Sequence, residues 1–169
     1  RRFARALRDR PIALGYFFNT RDTPNAEIQF GQLPAAVAAV RDLGSSEARL
    51  IEAVGYGANL PLLQDAALGG GFFNSPLVDA DGVFRRVPLL TRHGDRLYEQ
   101  LSLAVVRALL GQPAIEFVAA GGYGAGERGR RLEALRFGGF TAPVDEQGAV
   151  LVPYRSRQGG FPYVSATDV

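Results

Sequence analysis

The chain has 169 residues, 47% hydrophobic and 21% charged, with a formal net charge of +2. That length and balance suit a domain with a hydrophobic core and exclude a disordered chain. No apolar run is long enough to span a bilayer, no charged-then-apolar leader is present, and the small, scattered positive charge implies no nucleic-acid partner.

The absence of Cys removes disulfides, thiolate nucleophiles and Cys-ligated metal sites. Met is also absent, and the chain opens abruptly at Arg1-Arg2 and stops at Asp168-Val169, so it reads as a fragment. Every one of the 19 Lys+Arg residues is Arg. Arg can grip carboxylates and phosphates, but the bias reads first as the base composition of a GC-rich genome.

In chain order, Arg1 to Arg10 places Phe3, Ala4 and Leu7 at helical spacing and predicts the last turns of an amphipathic helix, ended by Pro11. Ile12 to Phe18 predicts a buried strand and Asn19 to Gln32 a loop. The Ala/Val-rich stretch from Leu33 to Leu43, followed by Gly44, predicts a helix. Asn59 is a candidate cap for a short helix over Leu60 to Leu68, with Pro61 in its first turn. The sequence "GFFN" predicts a strand. "DADG" (Asp79 to Gly82) predicts a turn with Gly82 at positive φ. Val83 to Leu90 predicts a strand and "RHGD" (Arg92 to Asp95) a turn. A helix is expected over Leu97 to Leu110, with Leu97, Leu101, Val105 and Ala108 in its stripe. Ile115 to Ala120 predicts a strand and Gly121 to Gly129 a glycine-rich loop. Leu132 to Phe140 fits helix or strand. "VDEQG" (Val144 to Gly148) predicts a hairpin turn leading into a strand over Ala149 to Tyr154.

Several motifs invite chemistry. "GAGERG" (Gly124 to Gly129) fits G-x-G-x-x-G after a strand, with Asp145 downstream, and so admits a dinucleotide. Against it, the strand is short and Glu127 would set a carboxylate beside the phosphates. Asp79 and Asp81 are spaced like the first ligands of a calcium loop, but the later ligands and terminal Glu are missing; a local turn explains them. His93, the single His, falls in what reads as a polar surface loop, with no nucleophile elbow to serve. Arg85 and Arg86 lie in one expected strand and so point to opposite faces, one of them towards a buried or interface side where it needs a carboxylate partner. "PYRSRQGG" gathers Tyr154, Arg155 and Arg157 beside glycines, either to bind a small anion or as a solvated strand end.

Two segments together are distinctive. Asn59 to Gly111 contains Gly71, Phe72 and Asn74, then Asp79, Asp81 and Gly82, then Arg85, Arg86, Pro88 and Leu89, then Tyr98, Leu101, Ser102, Leu103 and Ala104. Leu135 to Val169 contains Pro143, Asp145, Gly148, Tyr154, Arg155, Pro162, Tyr163, Ser165 and Asp168. In this order they closely resemble the type-two CHASE domain, the second of the cyclase/histidine-kinase-associated sensory extracellular families, over about half the chain. The opening "RRFARALRDRPIALGYFF" is similar to the family's helix-then-strand. Pro153 stands where the family usually has Asn, and Ser156 where it has Gly. The family's earlier strand, helix and strand have no counterpart here.

The resemblance implies a single α/β sensory domain over residues 1–169, with a mixed sheet, flanking helices and C-terminal β-hairpins, truncated on its N-terminal side. It favours a strand over Leu132 to Phe140. It also implies the periplasmic face of a bacterial inner membrane, in a receptor whose membrane helices relay a small-molecule or ionic stimulus to a cytoplasmic output. That output would be an adenylate or guanylate cyclase first, else a diguanylate cyclase or kinase, and the parent a homodimer. The fragment itself is expected to be no enzyme, with no cofactor and no metal. Asp81, Arg86, Tyr154 and Arg155 form the candidate ligand-binding cluster. The alternative of another class is a nucleotide-cofactor enzyme using Gly124, Gly126 and Gly129.

Overall fold

The structure, a computed structural model, describes residues 1–44, 48–121, 130–154, 162, 164, 165 and 167. Helix α1 (Arg2–Leu7) buries Ala4 and Leu7, while Phe3 stays exposed. The apolar run behind Pro11 forms strand β1 (Ala13–Asn19). A two-residue strand, β2 (Gln29–Phe30), interrupts the expected 19–32 loop.

The helix expected over Leu33 to Leu43 is not formed. This stretch runs extended into β3 (Ala38–Ala39) and a 3₁₀ turn (Val40–Leu43). Val37 N–H donates to the Leu97 carbonyl at 2.9 Å and Val40 N–H to the Asp95 carbonyl at 2.8 Å. Cross-strand bonding overrides a helix preference that is only a weak bias. Strands β4 (Ile51–Ala53) and β5 (Gly55–Gly57) follow. Helix α2 (Pro61–Gln64) keeps Pro61 in its first turn but is one turn long. Leu60, not Asn59, sits at its N-cap. The Asn59 amide instead donates to the Gly15 carbonyl at 3.2 Å.

Strand β6 (Gly69–Phe72) starts on the glycine run. Gly82, at φ 79°, makes the expected turn, its N–H bonded to the Asp79 carbonyl at 2.8 Å. Strand β7 (Arg86–Pro88) is shorter than expected, and β8 (Leu90–His93) begins two residues later. The helix expected from Leu97 begins instead at Leu101. Strand β9 (Arg96–Glu99) comes first and closes a hairpin over Gly94 (φ 61°). Helix α3 (Leu101–Leu109) is capped by the Gln100 side chain, which accepts from Ser102 N–H at 2.6 Å. Its buried face is Leu103, Ala104 and Arg107, whereas Val105 is exposed. Strands β10 (Glu116–Gly121), β11 (Arg130–Phe137), β12 (Phe140–Pro143) and β13 (Ala149–Leu151) complete the described chain.

Among the described residues the strands form four small sheets, ordered β2-β5-β1-β6, β3-β9-β8-β4, β10-β11-β12 and β13-β7. Parallel pairs (β1 with β6, β2 with β5, β4 with β8) mix with antiparallel ones, so the fold is mixed α/β. The turn at 145–148 forms, with Asp145 Oδ1 accepting from the amides of Gln147 and Ala149, both at 2.9 Å. It does not make a hairpin of its neighbours, because β12 pairs with β11 while β13 pairs with β7.

Strand β11 settles the 132–140 ambiguity. Its register against β10 shifts between Val118 and Ala119, leaving Glu133 as an extra residue. That bulge lets Leu132 and Leu135, three apart, enter one core with Leu89, Leu90, Leu103, Ile115 and Phe137. A second core gathers Tyr16, Phe18, Ala53, Phe72 and Tyr98. Between them, α3 lies against β6 so closely that a Cβ on Gly71 would overlap Leu101 Cα.

Candidate functional site

Two groups of charged side chains stand out, one on the surface and one inside. The surface group surrounds the turn at 79–82. Arg85 donates to Asp79 at 2.8 Å and through both terminal nitrogens to Asp81, at 2.9 and 2.6 Å. This guanidinium, with the Val83 amide, holds the Asp81 carboxyl below its ordinary range. Arg86 lies 3.5 Å from Asp145 and 3.8 Å from Asp79, so Asp79 bridges the two arginines. Tyr154 hydroxyl donates to the Phe84 carbonyl at 2.6 Å.

The structure therefore places Asp81, Arg86 and Tyr154 around one stretch, 79–86, but not in mutual contact. Asp81 is taken by Arg85, Arg86 by Asp79 and Asp145, and Tyr154 by main chain. Arg155 lies outside the described residues, as do Gly124, Gly126 and Gly129. Neither Arg85 nor Arg86 is buried, both side chains being about half-exposed at 48% and 41%, and both have carboxylate partners. Arg85 precedes β7 rather than lying in it, so strict alternation does not apply.

His93 is also corrected. It is not on a surface loop but at the end of β8, with Nδ1 2.9 Å from the Ala53 carbonyl. Its ring meets Tyr56 edge-on at 5.4 Å and lies 5.9 Å from Phe18. It is a packing residue of the aromatic core.

The interior group was missed by sequence reasoning. Glu99 ends β9, and Arg107 lies two turns along α3 on its buried face. Arg107 donates to Glu99 Oε1 at 2.6 Å and to the Pro113 carbonyl at 2.8 Å. Both side chains are only 9% exposed. Burial pushes the Glu99 carboxyl up, and Arg107 pulls it only part of the way back. Glu99 Oε2 and Gln64 Oε1 are buried with no hydrogen-bond partner. The signal was available in outline: Arg107 falls four residues after Leu103 on an otherwise apolar stripe.

These groups line one cavity of about 470 Å³, within the size range of small-molecule sites. Its floor is Gln64, Gly70, Glu99 and Arg107, its wall the extended 32–37 segment, and its rim includes Asp65 and Gln112. No group of three or more metal-binding side chains occurs among the described residues. No helix among them is long and apolar enough to cross a membrane.

No curated protein and no solved structure matches the chain. A family model described as the CHASE2 domain matches residues 1–169, its whole length. With the Gly-Phe-x-Asn strand, the Asp-x-Asp-Gly turn and the Arg-Arg strand in their places, the chain belongs to the CHASE2 family of sensory extracellular domains found in signalling receptors.

Proposed function

We propose that this chain is the extracytoplasmic input domain of a bacterial transmembrane receptor, relaying a small-molecule or ionic stimulus to a cytoplasmic output domain. The match to the CHASE2 domain over residues 1–169 carries this reading. The output is an adenylate or guanylate cyclase first, else a diguanylate cyclase or a kinase, and the receptor works as a homodimer. The mechanism is a population shift: a stimulus favours one packing of the domain, and the bias passes to the membrane helices. A ligand shifts that equilibrium only by its difference in affinity for the two packings.

The test uses the full-length receptor in inverted and right-side-out bacterial membrane vesicles. Protease should reach this domain only in right-side-out vesicles, and its deletion should leave cyclic-nucleotide output insensitive to stimulus. Cleavage only in inverted vesicles, or an unchanged response after deletion, overturns the reading.

A further inference from the structure

We propose that the cavity under the 32–37 segment is a binding site for a small molecule carrying a protonated amine, whose ammonium is received by Glu99 Oε2 and Gln64 Oε1. The role of this site as the input site rests on the sensory reading above; the binding itself does not.

The argument begins from unsatisfied acceptors. Buried polar atoms in folded proteins are nearly always hydrogen-bonded, and leaving one bare costs on the order of 1–3 kcal/mol. Three such side-chain atoms stand bare among the described residues: Tyr16 Oη, Gln64 Oε1 and Glu99 Oε2. Two of the three, Gln64 Oε1 and Glu99 Oε2, belong to residues that line this cavity and are 5% and 7% exposed. Both are acceptors, so the missing group is a donor.

The neighbours narrow the class further. Arg107, the one cation lining the cavity, already donates to Glu99 Oε1 and to the Pro113 carbonyl. The carboxylates of Glu99 and Asp65 outnumber it by one, so the lining carries a net negative charge and suits a cation. A protonated amine brings several N–H donors and no acceptor. It also offsets the desolvation that raises the Glu99 carboxyl. A buried, partly satisfied acidic group is poorly served by an apolar ligand and repelled by an anion.

The floor is kept open by glycine. A Cβ on Gly70 would come within 3.5 Å of Gln64 Oε1 and Pro34 Cγ, and within 2.6 Å of the Leu14 carbonyl. Gly69 is different: a Cβ there meets only Gln112 Nε2, at 3.5 Å, an ordinary contact. Position 69 thus has room for a Cβ, and Gly69→Val is a blocking variant that adds bulk to the lining without removing Gln64 or Glu99.

The experiment is isothermal titration of the purified chain with ethanolamine, putrescine and spermidine, with glycerol and acetate as neutral and anionic probes. At least one amine should bind saturably with Kd below about 1 mM, and glycerol and acetate should not. Gln64→Leu and Gly69→Val should each weaken that binding by about tenfold or more, with the melting temperature of the unliganded protein unchanged or raised. Three results overturn the proposal: no saturable amine binding, glycerol binding as well as the amines, or amine binding indifferent to both variants. The first would leave ordered water as the occupant of the bare acceptors. Amine binding by the purified chain, with a receptor whose output ignores the same amine, would remove the input role and keep the site. A receptor that responds to some other stimulus while the chain binds no amine would remove the site and leave the sensory reading standing.

Discussion

The Glu99–Arg107 pair and the Asp79/Asp81–Arg85/Arg86–Asp145 cluster use the same chemistry in opposite surroundings. The surface cluster has more partners and bidentate geometry, yet water competes for every charge in it. The interior pair has one ionic contact, and each charge depends on it because little water reaches either. Number of contacts and consequence of losing one therefore run in opposite directions. The surface cluster shapes a turn; the interior pair joins β9 to α3 and leaves a bare acceptor on a residue that lines a cavity.

Breaking the interior pair should give the largest effect. Arg107→Ala leaves Glu99 buried without its cation and should destabilise by about 3–5 kcal/mol, read from the denaturant midpoint. Replacing both residues by Leu should recover most of that loss, since a buried pair is often no better than a well-packed apolar one. A midpoint for Arg107→Ala within error of the wild type would erase the contrast between the two clusters.

Tyr16→Phe sharpens the same point for a neutral group. Its hydroxyl is buried and bare, and burial first, then Tyr98 and Glu99, raises its pKa far above the ordinary value. Removing the hydroxyl should raise stability by about 1 kcal/mol. Because the folded value is raised, the wild-type contribution is complete below about pH 10, the ordinary tyrosine range, and is lost as pH climbs above it. The Phe variant should lose part of that alkaline slope in melting temperature.

At the surface, Arg86→Ala should cost under about 1 kcal/mol, by denaturant unfolding, for a half-exposed cation 3.5 Å from Asp145. A receptor carrying Arg86→Ala should nevertheless show altered output if Arg86 takes part in sensing; unchanged output and unchanged melting together would remove it from the candidate set. The smallest effect is expected in acid. Asp81 is held low by Arg85, so its contribution is present above the ordinary carboxyl range and is lost as pH falls through its lowered value. Glu99 is held high, so its contribution runs the other way, complete below that range and lost as pH rises through its raised value. Asp81→Asn and Glu99→Gln should therefore change the acid limb of the melting curve in opposite senses.

Much of the fold could be read from residues whose local chemistry is self-sufficient. Pro61 at a first turn, Gly82 at positive φ and Asp145 bonding its own turn depend on their neighbours alone. The failures share a cause, which is that spacing does not reveal partners. Leu97 and Leu101 fall four apart because a strand ends and a helix begins between them. Leu132 and Leu135 imitate a helical stripe because a bulge at Glu133 supplies the extra residue. The Ala/Val-rich 33–43 stretch is kept from forming a helix by bonds to Leu97 and Asp95, over fifty residues away. The candidate site divides in the same way. Asp81 and Arg86 announced themselves by adjacency, while Glu99, Arg107 and Gln64 become a site only when β9, α3 and α2 meet.

The backbone of Leu89 has a wider consequence. Its N–H donates to the Gly148 carbonyl and its carbonyl accepts from Gln100 N–H, both at 2.9 Å. One residue is thus a shared rung between the strand that follows the 145–148 turn and the junction where β9 passes into α3 beside Glu99. Neither side can fray without releasing a bond on Leu89, so the two should open as one cooperative unit. In hydrogen exchange, the amides of Leu89 and Gln100 should be protected to a similar degree, and whatever steadies the cavity should slow both.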